Sequence, residues 1–258
     1  MLLAFDDVGP GPVVLLIHGF PLDRTMWSYQ RSSVGSIYRL ILPDLRGHGT
    51  TVAPDGIYTV DEMADDVLEL LDTLQIDEPV VFGGLSMGGY VALSIVARYP
   101  ERVKALMLMN TRASADSPEG ARVRQELAKQ VDSSGDTKDV LATMLPKLFT
   151  RNTFEHHADL VARTLGRMAK TPPRAISGTL RGLAIRPDRT PDLPSIQVPT
   201  LVLAGAEDAV ISAEESESMA RLIPGGKLVI VPDAGHLAPL ENHQATDAAI
   251  LKFLESLW

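Results

Sequence analysis

Ser86 sits in Val80-Val81-Phe82-Gly83-Gly84-Leu85-Ser86-Met87-Gly88-Gly89-Tyr90, an apolar run that enters a glycine-rich turn and continues as a helix former. The spacing G-x-S-x-G has a steric cause. A serine at the tip of a sharp strand-to-helix turn leaves no room for Cβ atoms two residues away on either side. The turn lifts the Ser86 hydroxyl clear of a sheet. It also puts the Met87 N–H at a helix start, where the donor is free and the dipole favours negative charge. Together these features suit nucleophilic attack on a carbonyl. The bare motif is common, and the apolar strand before it and the helix after it give it weight.

A serine needs a base, and the base needs an acid to hold its tautomer. Leu201-Val202-Leu203-Ala204-Gly205-Ala206-Glu207-Asp208 is a strand ending in a loop with two carboxylates, of which Asp208 is the preferred acid. Leu228-Val229-Ile230-Val231-Pro232-Asp233-Ala234-Gly235-His236 repeats the design with a histidine. Of the six histidines, only His236 follows both Ser86 and Asp208 at a strand's carboxyl end, the chain order serine, acid, histidine. The run Val13-Val14-Leu15-Leu16-Ile17 leads into His18-Gly19-Phe20-Pro21, and the Phe20 N–H is expected to join that of Met87 as the second oxyanion donor. His18 is read as a residue that braces this loop. Asp23, Arg24 and Trp27 are placed at the pocket entrance.

These residues need a scaffold. Short apolar runs at 13–17, 40–42, 80–82, 105–109, 200–204 and 227–231 alternate with amphipathic segments, which predicts a parallel sheet covered by helices. Helices are expected over 57–75, where Thr59 and Glu62 form a capping box, and over 87–99 and 245–257. Residues 111–196 hold no strand run. Their helices, near 118–131, 137–148, 153–170 and 172–183, suggest a cap over the carboxyl edge of the sheet, with 186–191 as the return linker. The chain thus divides into a core, 1–110 with 197–258, and a helical cap, 111–196. Met144, Leu148, Phe149, Leu165 and Met168 are the cap residues that could face a pocket; the alternative for each is packing within the cap.

The 258 residues carry a net charge of -9 and no cysteine. The charge disfavours nucleic acid and anionic membrane surfaces. Without cysteine there is no disulfide, thiolate catalysis or thiolate-bound metal. The first residues lack a secretory pattern and no apolar run approaches the ~18 residues of a membrane span, so a cytoplasmic location is the expectation.

With these blocks in view, the chain resembles α/β-hydrolase carboxylesterases, and most closely small thermophilic bacterial ones. The likeness rests on Gly19-Phe20-Pro21-Leu22-Asp23-Arg24-Thr25-Met26-Trp27, Pro43-Asp44-Leu45-Arg46-Gly47-His48-Gly49, residues 83–91, Asn110-Thr111-Arg112-Ala113 with Ser117-Pro118-Glu119, and Ile230 to Leu237. Enol-lactonases and cofactor-free perhydrolases are similar in the same blocks. The resemblance implies cleavage of short- to medium-chain carboxylic esters with no metal or organic cofactor, the partner being a small-molecule ester substrate. Lactonase, perhydrolase or carbon–carbon hydrolase activity would use the same machinery. Dehalogenases and epoxide hydrolases place a carboxylate where Ser86 stands. A non-catalytic binding protein on this scaffold would be expected to have lost a member of the triad. Two departures stand out. Only about a dozen residues precede Val13, so the amino-terminal edge is expected to be short of a strand, and Thr50-Thr51 replaces a serine often found after the Asp44 block. Asp44 and Arg46 are expected to brace the oxyanion loop.

Overall fold

The computed structural model describes residues 1–258. Seven strands form one sheet: β1 (Phe5–Val8), β2 (Val13–Ile17), β3 (Arg39–Pro43), β4 (Val80–Leu85), β5 (Val103–Met109), β6 (Thr200–Gly205) and β7 (Lys227–Val231). Their order is β1-β3-β2-β4-β5-β6-β7, and only β1 runs antiparallel. Six strands fall on the apolar runs. The seventh, Phe-Asp-Asp-Val, is too polar and short to stand out, and it is the one strand that precedes Val13. β7 is half-exposed rather than buried, with Ile230 40% exposed, because it closes the sheet's other edge.

Register decides where the chemistry gathers. Ile17 pairs with Gly84, Leu85 with Met109, Met109 with Leu203 and Gly205 with Val231. The loops after β2, β4, β5, β6 and β7 therefore leave from one edge, the edge where open α/β sheets bind ligands. The inner strands are apolar on both faces. Leu15 and Ile17 face one buried cluster, Val14 and Leu16 the other. Truncating such a side chain to alanine costs about 2–5 kcal/mol.

Helices cover both faces: α1 (Ser28–Ser33), α2 (Val60–Thr73) and α3 (Met87–Arg98) come before β5. The predicted capping box is present, the Thr59 hydroxyl accepting from the Glu62 N–H and the Glu62 carboxylate from that of Thr59. Between β5 and β6 the chain is helical throughout: α4 (Pro118–Ser134), α5 (Lys138–Leu148), α6 (Arg151–His156), α7 (Ala158–Met168) and α8 (Pro173–Ala184). The single helix expected over 153–170 is broken at His157, whose φ and ψ of -129° and 46° are not helical. α8 packs on α4 and presses on the loop before α2, where a Cβ on Gly182 would lie 2.5 Å from the Tyr58 carbonyl carbon. After β6 come α9 (Ala213–Leu222), α10 (Ala238–Glu241) and α11 (His243–Glu255). No helix is long and apolar enough to cross a membrane.

Candidate active site

Ser86 takes φ 52° and ψ -111°, a conformation L residues rarely adopt. It is held there from all sides. Its N–H donates to Met109 O (2.9 Å), and its carbonyl accepts from Gly89 N (2.9 Å), Tyr90 N (3.2 Å) and the Thr111 hydroxyl (2.8 Å). The flanking glycines answer to sterics. A Cβ on Gly84 would meet Gly89 N at 2.6 Å, and one on Gly88 would meet the Ile17 carbonyl carbon at 2.7 Å and His18 O at 2.9 Å.

The β6 and β7 loops bring Asp208 and His236 together. His236 Nδ1 stands 2.9 Å from Asp208 Oδ2 and 3.1 Å from Oδ1, both side chains being buried. The carboxylate also accepts from the N–H groups of Val210 (2.8 Å) and Ile211 (3.0 Å) and from Asn110 Nδ2 (2.9 Å). Burial alone would push the Asp208 carboxyl up. The bonds from His236, Asn110 and Ile211 outweigh it and hold the group below the usual carboxylate range. Asn110 also donates to Gly235 O (3.1 Å), so one side chain ties Asp208 to the loop that carries His236. Sequence reasoning gave Asn110 no role. The one available signal was its type, an asparagine ending an apolar strand, since asparagine tolerates the left-handed backbone it takes here, φ 47°. Glu241 was missed as well. Its carboxylate accepts from Gly235 N (2.7 Å), Thr150 N (2.7 Å) and the Thr153 hydroxyl (2.8 Å), and burial holds it above the usual range.

The loop after β2 passes close to the elbow, a Cβ on Gly19 falling 3.6 Å from Ser86 Cβ. Buried His18 accepts from Leu45 N through Nε2 (3.0 Å), leaving Nδ1–H to donate to Gly19 O (3.0 Å). Burial lowers its pKa to about 4, and that of His48, packed against it, to about 3, so both are neutral struts. His48 is fully buried. Asp44 accepts from Arg24 N (2.8 Å), pairs with the Arg24 guanidinium and braces the loop. Arg46 instead turns to α2, where it pairs with Asp66 (2.7 Å) and Glu62 (3.2 Å).

Residues 12–243 match the family described as alpha/beta hydrolase fold. The chain belongs to it. Among solved structures, this hydrolase is 42% identical to a thermophilic esterase from Thermogutta terrifontis, solved with malate bound, over 99% of this chain and 93% of that one, with a TM-score of 0.96. The enol-lactonase of Burkholderia xenovorans LB400 is 29% identical over 98% and 96% of the two chains, with a TM-score of 0.91. A curated relative, 3-oxoadipate enol-lactonase 2 of Acinetobacter baylyi, is 28% identical over 93% of this chain and 87% of its own.

In this α/β hydrolase Ser86, Met87, Phe20 and His236 share the wall of one cavity of about 330 Å³ with residues of α4, α5 and α8. Of the cap residues singled out from sequence, Met144 and Leu148 line it. The others do not. Phe149 is buried against Phe154, Met168 is fully buried in the core, and Leu165 is 37% exposed on α7. Trp27 is also misplaced: it is fully buried among core side chains, because Asp23 caps the turn that carries it and turns the ring inward. Asp23 and Arg24 serve that turn and the Asp44 anchor instead of a pocket entrance.

Proposed function

We propose that this hydrolase is a serine carboxylesterase acting on short- to medium-chain esters through an acyl-enzyme. The observation that carries the reading is the Asp208–His236 contact of 2.9 Å beside a strained Ser86 in the wall of the same cavity. With Nδ1–H committed to the carboxylate, Nε2 is the nitrogen left to take the Ser86 proton. Ser86 Oγ attacks the ester carbonyl, and the N–H groups of Phe20 and Met87 receive the oxyanion, each donor contributing ~10²–10³ in rate. His236 then protonates the departing alcohol, activates water against the acyl-enzyme and returns the proton to Ser86. A cavity near 330 Å³ whose lining is more apolar than polar suits a small ester.

Labelling by a fluorophosphonate probe and turnover of p-nitrophenyl butyrate test this together. Both are expected in the wild type and neither in Ser86→Ala. A Ser86→Ala protein that turned over at the wild-type rate would overturn the assignment. A lactonase reading uses the same residues, and the relatives named enol-lactonases favour it as the second choice. A kcat/KM much higher on lactones than on open-chain esters would decide for it.

A further inference from the structure

Helices α4 and α5 each turn one face to the cavity, Gly120, Val123, Arg124 and Leu127 from the first and Val140, Thr143, Met144, Lys147 and Leu148 from the second. These are i, i+3, i+4, i+7 faces, where an apolar pocket calls for apolar side chains throughout. Each carries one cation instead. Arg124 commits only Nε to Asp116, so both Nη groups remain without a protein acceptor. Asp116 is shared, because the buried Arg186 takes its other oxygen at 2.7 Å. Lys147 has no carboxylate partner, whereas Arg112, also in the wall, has Glu215 at 3.2 Å. Four cations thus meet two carboxylates, within a protein whose overall charge is -9. The half-buried Arg124 has only a shared carboxylate, so an anionic ligand would complete its pairing, and the exposed Lys147 at the same wall is free to add a second contact.

We infer that the cavity takes esters bearing a free carboxylate, which Arg124 and Lys147 of the cap hold while Ser86 meets the ester carbonyl. This rests on the esterase reading above and narrows it to one substrate class. Arg124 presents its fork of donors, and Lys147 adds a point charge.

The test compares kcat/KM for 4-nitrophenyl hydrogen glutarate with that for 4-nitrophenyl pentanoate, which has the same acyl length and no charge. A second pair, 4-(butyryloxy)butanoate and its amide, puts the carboxylate on the alcohol side. The wild type is expected to prefer the anion in at least one pair by about ten- to a hundredfold, the range of one charge-assisted hydrogen bond. Raising salt to about 0.5 M should shrink the preference. Arg124→Gln and Lys147→Gln should each cut the ratio several-fold. Arg122→Gln, on the outer face of α4 where Arg122 pairs with Glu119 and Glu126, should leave it unchanged. Lys147 is exposed, so its variant keeps the test decisive if Arg124→Gln fails to fold. Equal kcat/KM within both pairs, or a ratio that Lys147→Gln does not move, overturns the inference and leaves the esterase intact. No turnover of any ester and no probe labelling overturn both.

Discussion

Gly88 is where the turn at Ser86 touches the loop after β2, the loop proposed to supply an oxyanion donor, and adding one methyl there tests whether that contact matters. In Gly88→Ala the new Cβ would lie 2.7 Å from the Ile17 carbonyl carbon and 2.9 Å from His18 O. Carbon atoms pack favourably at about 3.5–4.0 Å, so relief demands a shift on the order of 1 Å. The end of β2 and the elbow must part, and the donors of Phe20 and Met87 part with them. A misplacement of about 1 Å in a catalytic constellation costs ~10²-fold, close to the loss of one oxyanion donor. The kcat for p-nitrophenyl butyrate is therefore expected to fall about a hundredfold, measured alongside a thermal melt by circular dichroism. Gly166→Ala is the control, since nothing lies within 4 Å of its Cβ position on α7. It should keep full activity and gain about 0.5–1 kcal/mol of stability. A Gly88→Ala enzyme with wild-type kcat would refute the placement of the oxyanion donors.

Acidification should destabilise the fold through His18 and His48. Their folded pKa values, about 4 and about 3, lie below the ordinary 6.5, so the unfolded chain binds more protons across that interval. The stability they contribute is intact above pH 6.5 and is lost as pH falls toward 4, at up to about 1.4 kcal/mol per pH unit for each histidine. Buried Glu241 and Asp44, with raised carboxyls, work in the opposite sense. Calorimetric melts from pH 7.5 to 4.5 should therefore be steeper in the wild type than in His48→Gln, and equal slopes would count against neutral burial. Asn110→Gly keeps the positive φ but removes the donor to Asp208. It should lower kcat about tenfold or more, the worth of a hydrogen bond to a charged group, with KM nearly unchanged. An unchanged kcat would deny Asn110 a part in orienting the acid.

The sequence made the interior strands and the order of Ser86, Asp208 and His236 legible, since apolar runs with abrupt polar ends are local patterns. β1 escaped because an edge strand has one neighbour and tolerates aspartates. Asn110 and Glu241 escaped for a different reason. Their partners, Asp208 and Gly235 for the first and Thr150, Thr153 and Gly235 for the second, mostly lie about ninety residues or more away, and no local pattern announces a bond at that range. Trp27 misled because a large aromatic after the oxyanion loop fits a pocket wall or a core equally well by type. The cap's helices were visible by periodicity, but which face of each meets the cavity depends on how α4 and α8 pack, and this is tertiary.

The backbone at Ser86 has a further consequence. A residue held at φ 52° and ψ -111° raises the energy of the folded state by about 1–3 kcal/mol, and four hydrogen bonds keep it from relaxing. Total stabilities are only about 5–15 kcal/mol, so this one turn takes up an appreciable share of the margin. Selection for stability alone would not retain a serine there. A chain released from its chemical task would be free to drift toward glycine at position 86, and the fold would tighten as the activity vanished.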